Sequence, residues 1–304
     1  MFKNALILGA SGGIGGALVA ALTEKGTNVT ALSRSRDGFD VTDPASVTGH
    51  LGALKGPFDL IILATGKLDG AGLPPEKSLK ALSAEAMVDQ FATNAIGPAL
   101  VLRELPRLLP KDAPSTVAIL TARVGSISDN HLGGWYSYRA AKAAANQVIR
   151  TAAIEIARSY KQACLIAYHP GTVASDFTKD YARDKLPPEA AAAHCLCLMS
   201  RLSAAQTGRF YDWKGDEVLG ELLRRRRFRW GVLGVRRGGG RVRRHQSAID
   251  PIARNGAAIG IGDRAAPVGF SGHKQPLIDI AIGIGRHTAP LNFTARPFAG
   301  IGEP

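Results

Sequence analysis

A doubly wound α/β domain on an open parallel sheet is the fold class this sequence predicts, and three observations predict it. Through residues 1–218, short runs of β-favouring residues alternate with longer helical stretches, the pattern of a sheet covered on both faces. The first of these runs passes directly into a glycine-rich turn, Gly9 to Gly15, and then into a helical stretch. Beyond residue 218 composition and periodicity both change, which sets the end of the domain.

The elements follow in chain order. Residues 4–8 form the apolar first strand, and a helix at 13–25 starts inside the glycine cluster. Residues 28–32 are the second strand. From there to a short strand at 39–41 there is too little chain for a helical crossover, so that helix is lost or 39–41 is only an edge segment. A helix at 43–54 opens with Asp43 as N-cap and Pro44 at the first helical position. Strand 58–64, helix 83–109, strand 116–121, helix 135–160, strand 164–168, helix 188–202 and a last strand at 209–211 complete the alternation.

Charge and glycine divide the chain at the same place. The 304 residues carry a net charge of +13, of which residues 1–218 hold only +3 and residues 219–304 hold +10. The tail crowds arginines, Arg224 to Arg227 among them, into glycine-interrupted text with neither helical nor strand period. They lack a reading helix, zinc spacing or an aromatic stacking platform, so nucleic acid is not expected as a partner. The tail reads as a disordered or poorly packed extension, or as the product of a reading-frame slip. No run of 18 apolar residues occurs and the N-terminus has no signal-peptide pattern, which points to the cytoplasm and away from a membrane. Cys164, Cys195 and Cys197 are an odd count and fit reduced thiols. His194, Cys195 and Cys197 lie in an alanine-rich apolar run and read as helix packing, with no metal expected.

Three groups of residues carry chemistry. In the first turn, glycines are needed where the chain bends tightly and where backbone approaches a pyrophosphate, and the helix N-terminus adds N–H donors and positive potential. That is a Rossmann-type dinucleotide turn, with Ser11 and Ile14 among its glycines. Gly9, Gly13 and Gly15 fit one spacing and Gly9, Gly12 and Gly15 another. At the end of the second strand, where NAD enzymes place an acid against the ribose, this chain has Ser33, Arg34 and Ser35. Arginine and hydroxyls suit a 2′-phosphate, so NADP(H) is preferred, while Asp37 keeps NAD(H) possible. Third, Tyr138 and Lys142 are four apart on one helix, so an ammonium stands beside a phenol and favours its ionised form.

With the segments Gly125 to Asn130, Gly133 to Asn146 and His169 to Val173, these motifs resemble the short-chain dehydrogenases/reductases, in the branch of C-factor and the sniffer-type carbonyl reductases. The resemblance runs over roughly residues 4–216. It implies an oxidoreductase that moves hydride between the nicotinamide and a small carbonyl or alcohol, with Tyr138 as general acid/base, Lys142 beside it and a homo-oligomeric assembly. It further implies that Asn94 holds a water on the proton path and that Pro170, Gly171 and Val173 contact the nicotinamide carboxamide. Asp40, Val41, Ala64 and Gly66 complete the cofactor set, which also includes Asn94, Tyr138 and Lys142.

Two positions depart from the family pattern. Thr121 and Ala122 stand where Ser-Ser is common, which leaves Ser126 as the expected substrate-oxygen donor and Thr121 or backbone groups as alternatives. Leu63 to Gly66 replaces the usual Asn-Asn-Ala-Gly. A non-catalytic, cofactor-binding signalling protein is the alternative reading, favoured by the absent Ser-Ser. Residues 174–186 are expected to form a mobile substrate lid.

Overall fold

The computed structural model describes residues 2–179, 181–182 and 184–218. The expected extension 219–304 lies outside these residues. Six strands, β1 (Asn4–Leu8), β2 (Asn28–Leu32), β3 (Leu60–Leu63), β4 (Ser115–Leu120), β5 (Ala163–His169) and β6 (Phe210–Asp212), form one sheet in the order β2-β1-β3-β4-β5-β6. Every neighbouring pair is parallel. Parallel neighbours require crossovers, and helices supply them: α1 (Gly13–Glu24), α3 (Pro44–Ala53), α4 (Ala84–Phe91) with α5 (Gly97–Glu104), α6 (Tyr136–Ser159) and α7 (Pro188–Met199). The chain leaves β1 toward β2 on one side and resumes at β3 on the other. The crevice beyond the carboxyl ends of β1 and β3 is therefore the switch point where such sheets bind ligands.

Alternation along the strands divides the core into two clusters. Leu6, Leu8, Ile61, Leu63, Val117 and Ile119 pack with Val47 and Leu51 of α3, Val101 of α5 and Ile149 of α6. Ala5, Ile7, Leu60, Ile62, Ala118 and Leu120 pack with Leu18 and Leu22 of α1 and with Cys195 and Met199 of α7. Both faces are thus covered, as the fold class requires. Cys195 is buried in the second cluster and Cys197 is exposed. Among the described residues no helix is long and apolar enough to cross a membrane.

Two expected elements are corrected. Residues 39–41 are not a strand, and the crossover before them shrinks to a single turn, α2 (Arg34–Asp37). Phe39 and Val41 are drawn into the core, while the Asp40 carboxylate accepts from both the backbone N–H and the hydroxyl of Thr42 and closes a turn. The expected helix 83–109 is broken by a π-helical turn over Ala92–Ile96. The cause lies four residues after Asn94: Pro98 has no N–H to give the Asn94 carbonyl, so the ordinary helical bond cannot form there. Asp43 does cap α3 through Ala45 N–H, with Pro44 at the first helical position.

Candidate active site

The turn after β1 is shaped by steric need. Gly9 has φ 90°, and a Cβ there would lie 2.9 Å from the backbone carbonyl of Ala64. A Cβ on Gly15 would collide with the carbonyl of Gly9. These are the two positions that both glycine spacings share. Gly12 caps α1 without a side-chain bond, and no acidic residue occupies the first turn. The helix therefore presents uncapped N–H groups and its positive end beside exposed Ser11, Gly12 and Gly13, with Ile14 half-buried.

At the end of β2 the Arg34 side chain is 80% exposed and stands 4.0 Å from the Asp40 carboxylate. Hydrogen bonds from Thr42, opposed by burial and aided by Arg34, hold the Asp40 carboxyl below its usual range. Asp37 folds back to accept from Ser33 N–H at 2.7 Å. The Val41 side chain is buried against α5, where a Cβ on Gly97 would meet it at 2.9 Å.

Tyr138 and Lys142 lie one turn apart on α6, both buried, with the ammonium 5.7 Å from the ring centroid. Lys142 Nζ also reaches the Leu120 carbonyl at 3.5 Å. The π turn presents Asn94, whose Oδ1 accepts from Lys67 N–H at 3.2 Å and whose Nδ2 donates to the Lys67 carbonyl at 2.8 Å and to Gln90 at 2.5 Å. Gly66 sits between them: a Cβ there would lie 3.2 Å from Asn94 Oδ1 and 3.4 Å from Lys142 Nζ. The structure thus brings Gly66, Asn94, Tyr138 and Lys142 into one corner. The expected electrostatics are corrected. Burial, with Tyr181 adding to it, pushes the Tyr138 phenol well above its ordinary value, and burial pulls Lys142 down to about 8. Burial of both groups thus opposes the ionisation of the phenol that the spacing alone favours.

The loop after β4 rests on α6 through Gly125, whose added Cβ would come 2.7 Å from the Lys142 backbone. Next to it Ser126 is buried, and its Oγ accepts from Asp129 N–H at 3.3 Å. Arg123 ties the loop down by pairing with Asp129 at 2.6 Å and with buried Asp212 at 3.2 Å. Thr121 is 5% exposed, and among the described residues its hydroxyl has no hydrogen-bond partner. Ala122 is also buried.

After β5, Pro170 and Val173 are buried, and Gly171 takes φ 85° with Leu186 and Trp213 each 3.0 Å from where a Cβ would be. The base of the next loop is closed by Ala174 N–H to the Leu186 carbonyl at 2.8 Å and Leu186 N–H to Thr172 at 2.7 Å. From it Phe177 packs on Tyr138 with ring centroids 6.1 Å apart, and Tyr181 meets Trp135 at 5.6 Å. Ser175 lies over the glycine turn, 3.3 Å from where a Gly13 Cβ would be. Burial lowers His169 to about 4, so it remains neutral.

Sequence reasoning missed Glu76, Gln90, Arg123 and Phe177. None stands in a motif, and each has at least one partner distant in the chain: Leu68 for Gln90, Asp212 for Arg123, Ser137 for Glu76 and Tyr138 for Phe177. Only the exposed hydrophobicity of Phe177 within a polar loop carried a signal.

No family model matches the chain. It is 33% identical over 232 residues to the 1-hydroxy-2-glutathionyl-2-methyl-3-butene dehydrogenase of Rhodococcus sp. strain AD45, covering 70% of this chain and 97% of that protein. Its fold is shared with the carbonyl reductase Sniffer of D. melanogaster, at TM-score 0.63 and 19% identity over 72% of this chain and 100% of that one. A carbonyl reductase from Pseudomonas aeruginosa PAO1, solved in complex with NADP, superimposes at TM-score 0.58 with 24% identity, over 72% of this chain and 100% of that one.

Proposed function

The chain belongs to the short-chain dehydrogenase/reductase family of NAD(P)-dependent oxidoreductases, and on that premise we propose that it reduces a small carbonyl compound with NADP(H), Tyr138 supplying the proton. The observation that carries the reading is the convergence of Tyr138, Lys142 and Asn94 around Gly66, at the carboxyl end of the sheet.

The residues present fit the cofactor. Gly9 and Gly66 form cradles that a Cβ would fill, and the uncapped α1 N-terminus suits a pyrophosphate. Arg34, exposed and only loosely paired, is free to take the 2′-phosphate, which favours NADP(H) over NAD(H). Pro170, Gly171 and Val173 would hold the carboxamide end, and Lys142 the ribose beside Gly66. When bound, the nicotinamide supplies the hydride that the carbonyl carbon accepts.

The chain's own residues manage the proton. Tyr138 O–H donates to the carbonyl oxygen as that oxygen gains charge, and the Lys142 ammonium supports the phenolate left behind. Burial keeps the phenol protonated at neutral pH, so in reduction Tyr138 starts as the acid. Asn94, fixed by Lys67 and Gln90, is placed to hold a water for reprotonation. Ser126 donates to the substrate oxygen; Thr121 is the alternative, supported by its unpartnered hydroxyl.

A panel of aldehydes and ketones, assayed with NADPH and with NADH, tests the reading. Carbonyl-dependent oxidation of NADPH is the expected result. Tight cofactor binding with no turnover on any carbonyl would favour the non-catalytic alternative.

A further inference from the structure

Helix α6 begins without a cap of its own. Its N-cap residue Trp135 has φ 55° and ψ 44° and gives the helix no side-chain hydrogen bond. The N–H groups of the first turn must therefore find acceptors elsewhere. Glu76, between β3 and α4 and 61 residues before Ser137, provides one for the Ser137 N–H. Its carboxylate accepts from Ser137 N–H at 3.2 Å and from the Ser137 hydroxyl, and its backbone carbonyl accepts from Trp135 N–H at 2.5 Å. Gly133 and Gly134, with φ 64° and 65°, turn the incoming chain toward it.

This contact lies next to the phenol. Ser137 immediately precedes Tyr138, and the Trp135 indole stands edge-on to the Tyr138 ring at 6.2 Å. Glu76 is 6% exposed, and a buried carboxylate is tolerated where donors and a helix N-terminus compensate its lost hydration. One side chain and its own carbonyl thereby fix the residues on both sides of Tyr136.

We propose that Glu76 is a positioning residue for Tyr138: a cap supplied from a distant segment that holds the first turn of α6, and with it the phenol and the Trp135 indole, in the orientation for proton transfer. The inference rests on the reading of Tyr138 as the acid–base residue. It separates from a purely structural role because misplacement of a reacting group by about 1 Å can cost roughly 10²-fold in rate while binding is spared.

Glu76→Ala removes the cap, Glu76→Gln keeps one acceptor of the same size, and Ser137→Ala removes the hydroxyl donor. For each, kcat and KM for a reduced carbonyl, NADPH affinity and amide hydrogen exchange across residues 135–138 are measured. Glu76→Ala is expected to lower kcat by about 10- to 100-fold with KM and NADPH affinity nearly unchanged, and to speed exchange at 135–138. Glu76→Gln should recover most of that loss. If the alanine variant does not fold, Glu76→Gln and Ser137→Ala should still show smaller kcat losses of the same kind. Unchanged exchange at 135–138 overturns the inference, as does faster exchange with parental kcat. Parental turnover in Tyr138→Phe overturns the acid–base reading itself, so the two failures are distinguishable.

Discussion

The two ends of the site are built by different means. The turn between β1 and α1 is made from seven consecutive residues, Gly9 to Gly15, and its shape follows from backbone geometry that only glycine permits. The corner around Tyr138 is assembled from segments scattered over the chain: Gly66 and Lys67, Glu76, Gln90 and Asn94, Gly125 and Ser126, and α6 itself. A local device survives as a spacing in the sequence. A device made by tertiary hydrogen bonds leaves no spacing.

That contrast can be broken most sharply at Tyr138. Tyr138→Phe removes the transferable proton and is expected to lower kcat by about 10²–10⁴-fold while NADPH affinity, followed by cofactor fluorescence, is nearly unchanged. A rate within tenfold of the parent would dissolve the corner as a catalytic unit. Lys142→Ala should cost roughly 10²-fold in kcat and weaken NADPH as well, because its ammonium serves both phenol and ribose. Its titration gives a matching pH effect. Lys142 is charged at neutral pH and loses its proton as pH rises through about 8. The rate of reduction should therefore hold at neutral pH and fall across that value, and a flat alkaline limb would show that the cation does not support the phenolate.

At the other end, Arg34→Asp tests whether the cofactor choice is as local as the turn. Replacing a charge-assisted phosphate contact with a repulsion should shift the NADPH-to-NADH ratio of kcat/KM by about 10- to 100-fold toward NADH. An unmoved ratio would place the 2′-phosphate elsewhere. The smallest effect is expected from ending the chain at Val218. Val218 is buried and its N–H bonds the Phe210 carbonyl at 2.8 Å, so the described core is closed there. Reduction should change by less than about twofold, and a larger loss would mean that both ends of the site depend on residues 219–304.

The same division explains what could be read in advance. The alternation of strands and helices is carried by apolar runs, and the glycine turn and the Tyr138–Lys142 spacing are each confined to one stretch of chain. Residues 39–41 misled because Phe39 and Val41 alternate as a strand would, yet their burial against α3 and α5 draws them off the sheet edge. An ammonium is visible as a letter and desolvation is not, so the opposing effect of burial on the Tyr138 phenol emerges only in the folded chain. Glu76 stood in a stretch without periodicity, and only the folded chain sets its carboxylate against Ser137.

The π turn at Ala92–Ile96 has a mechanical consequence. An extra residue in a helix rotates everything beyond it by about 100° around the axis. The half that carries Gln90 and Asn94 toward the site and the half that carries Val101 and Leu102 into the core are therefore offset from the facing that an unbroken helix would give them. Deleting one residue there would lock the two halves together and force a choice between core and site.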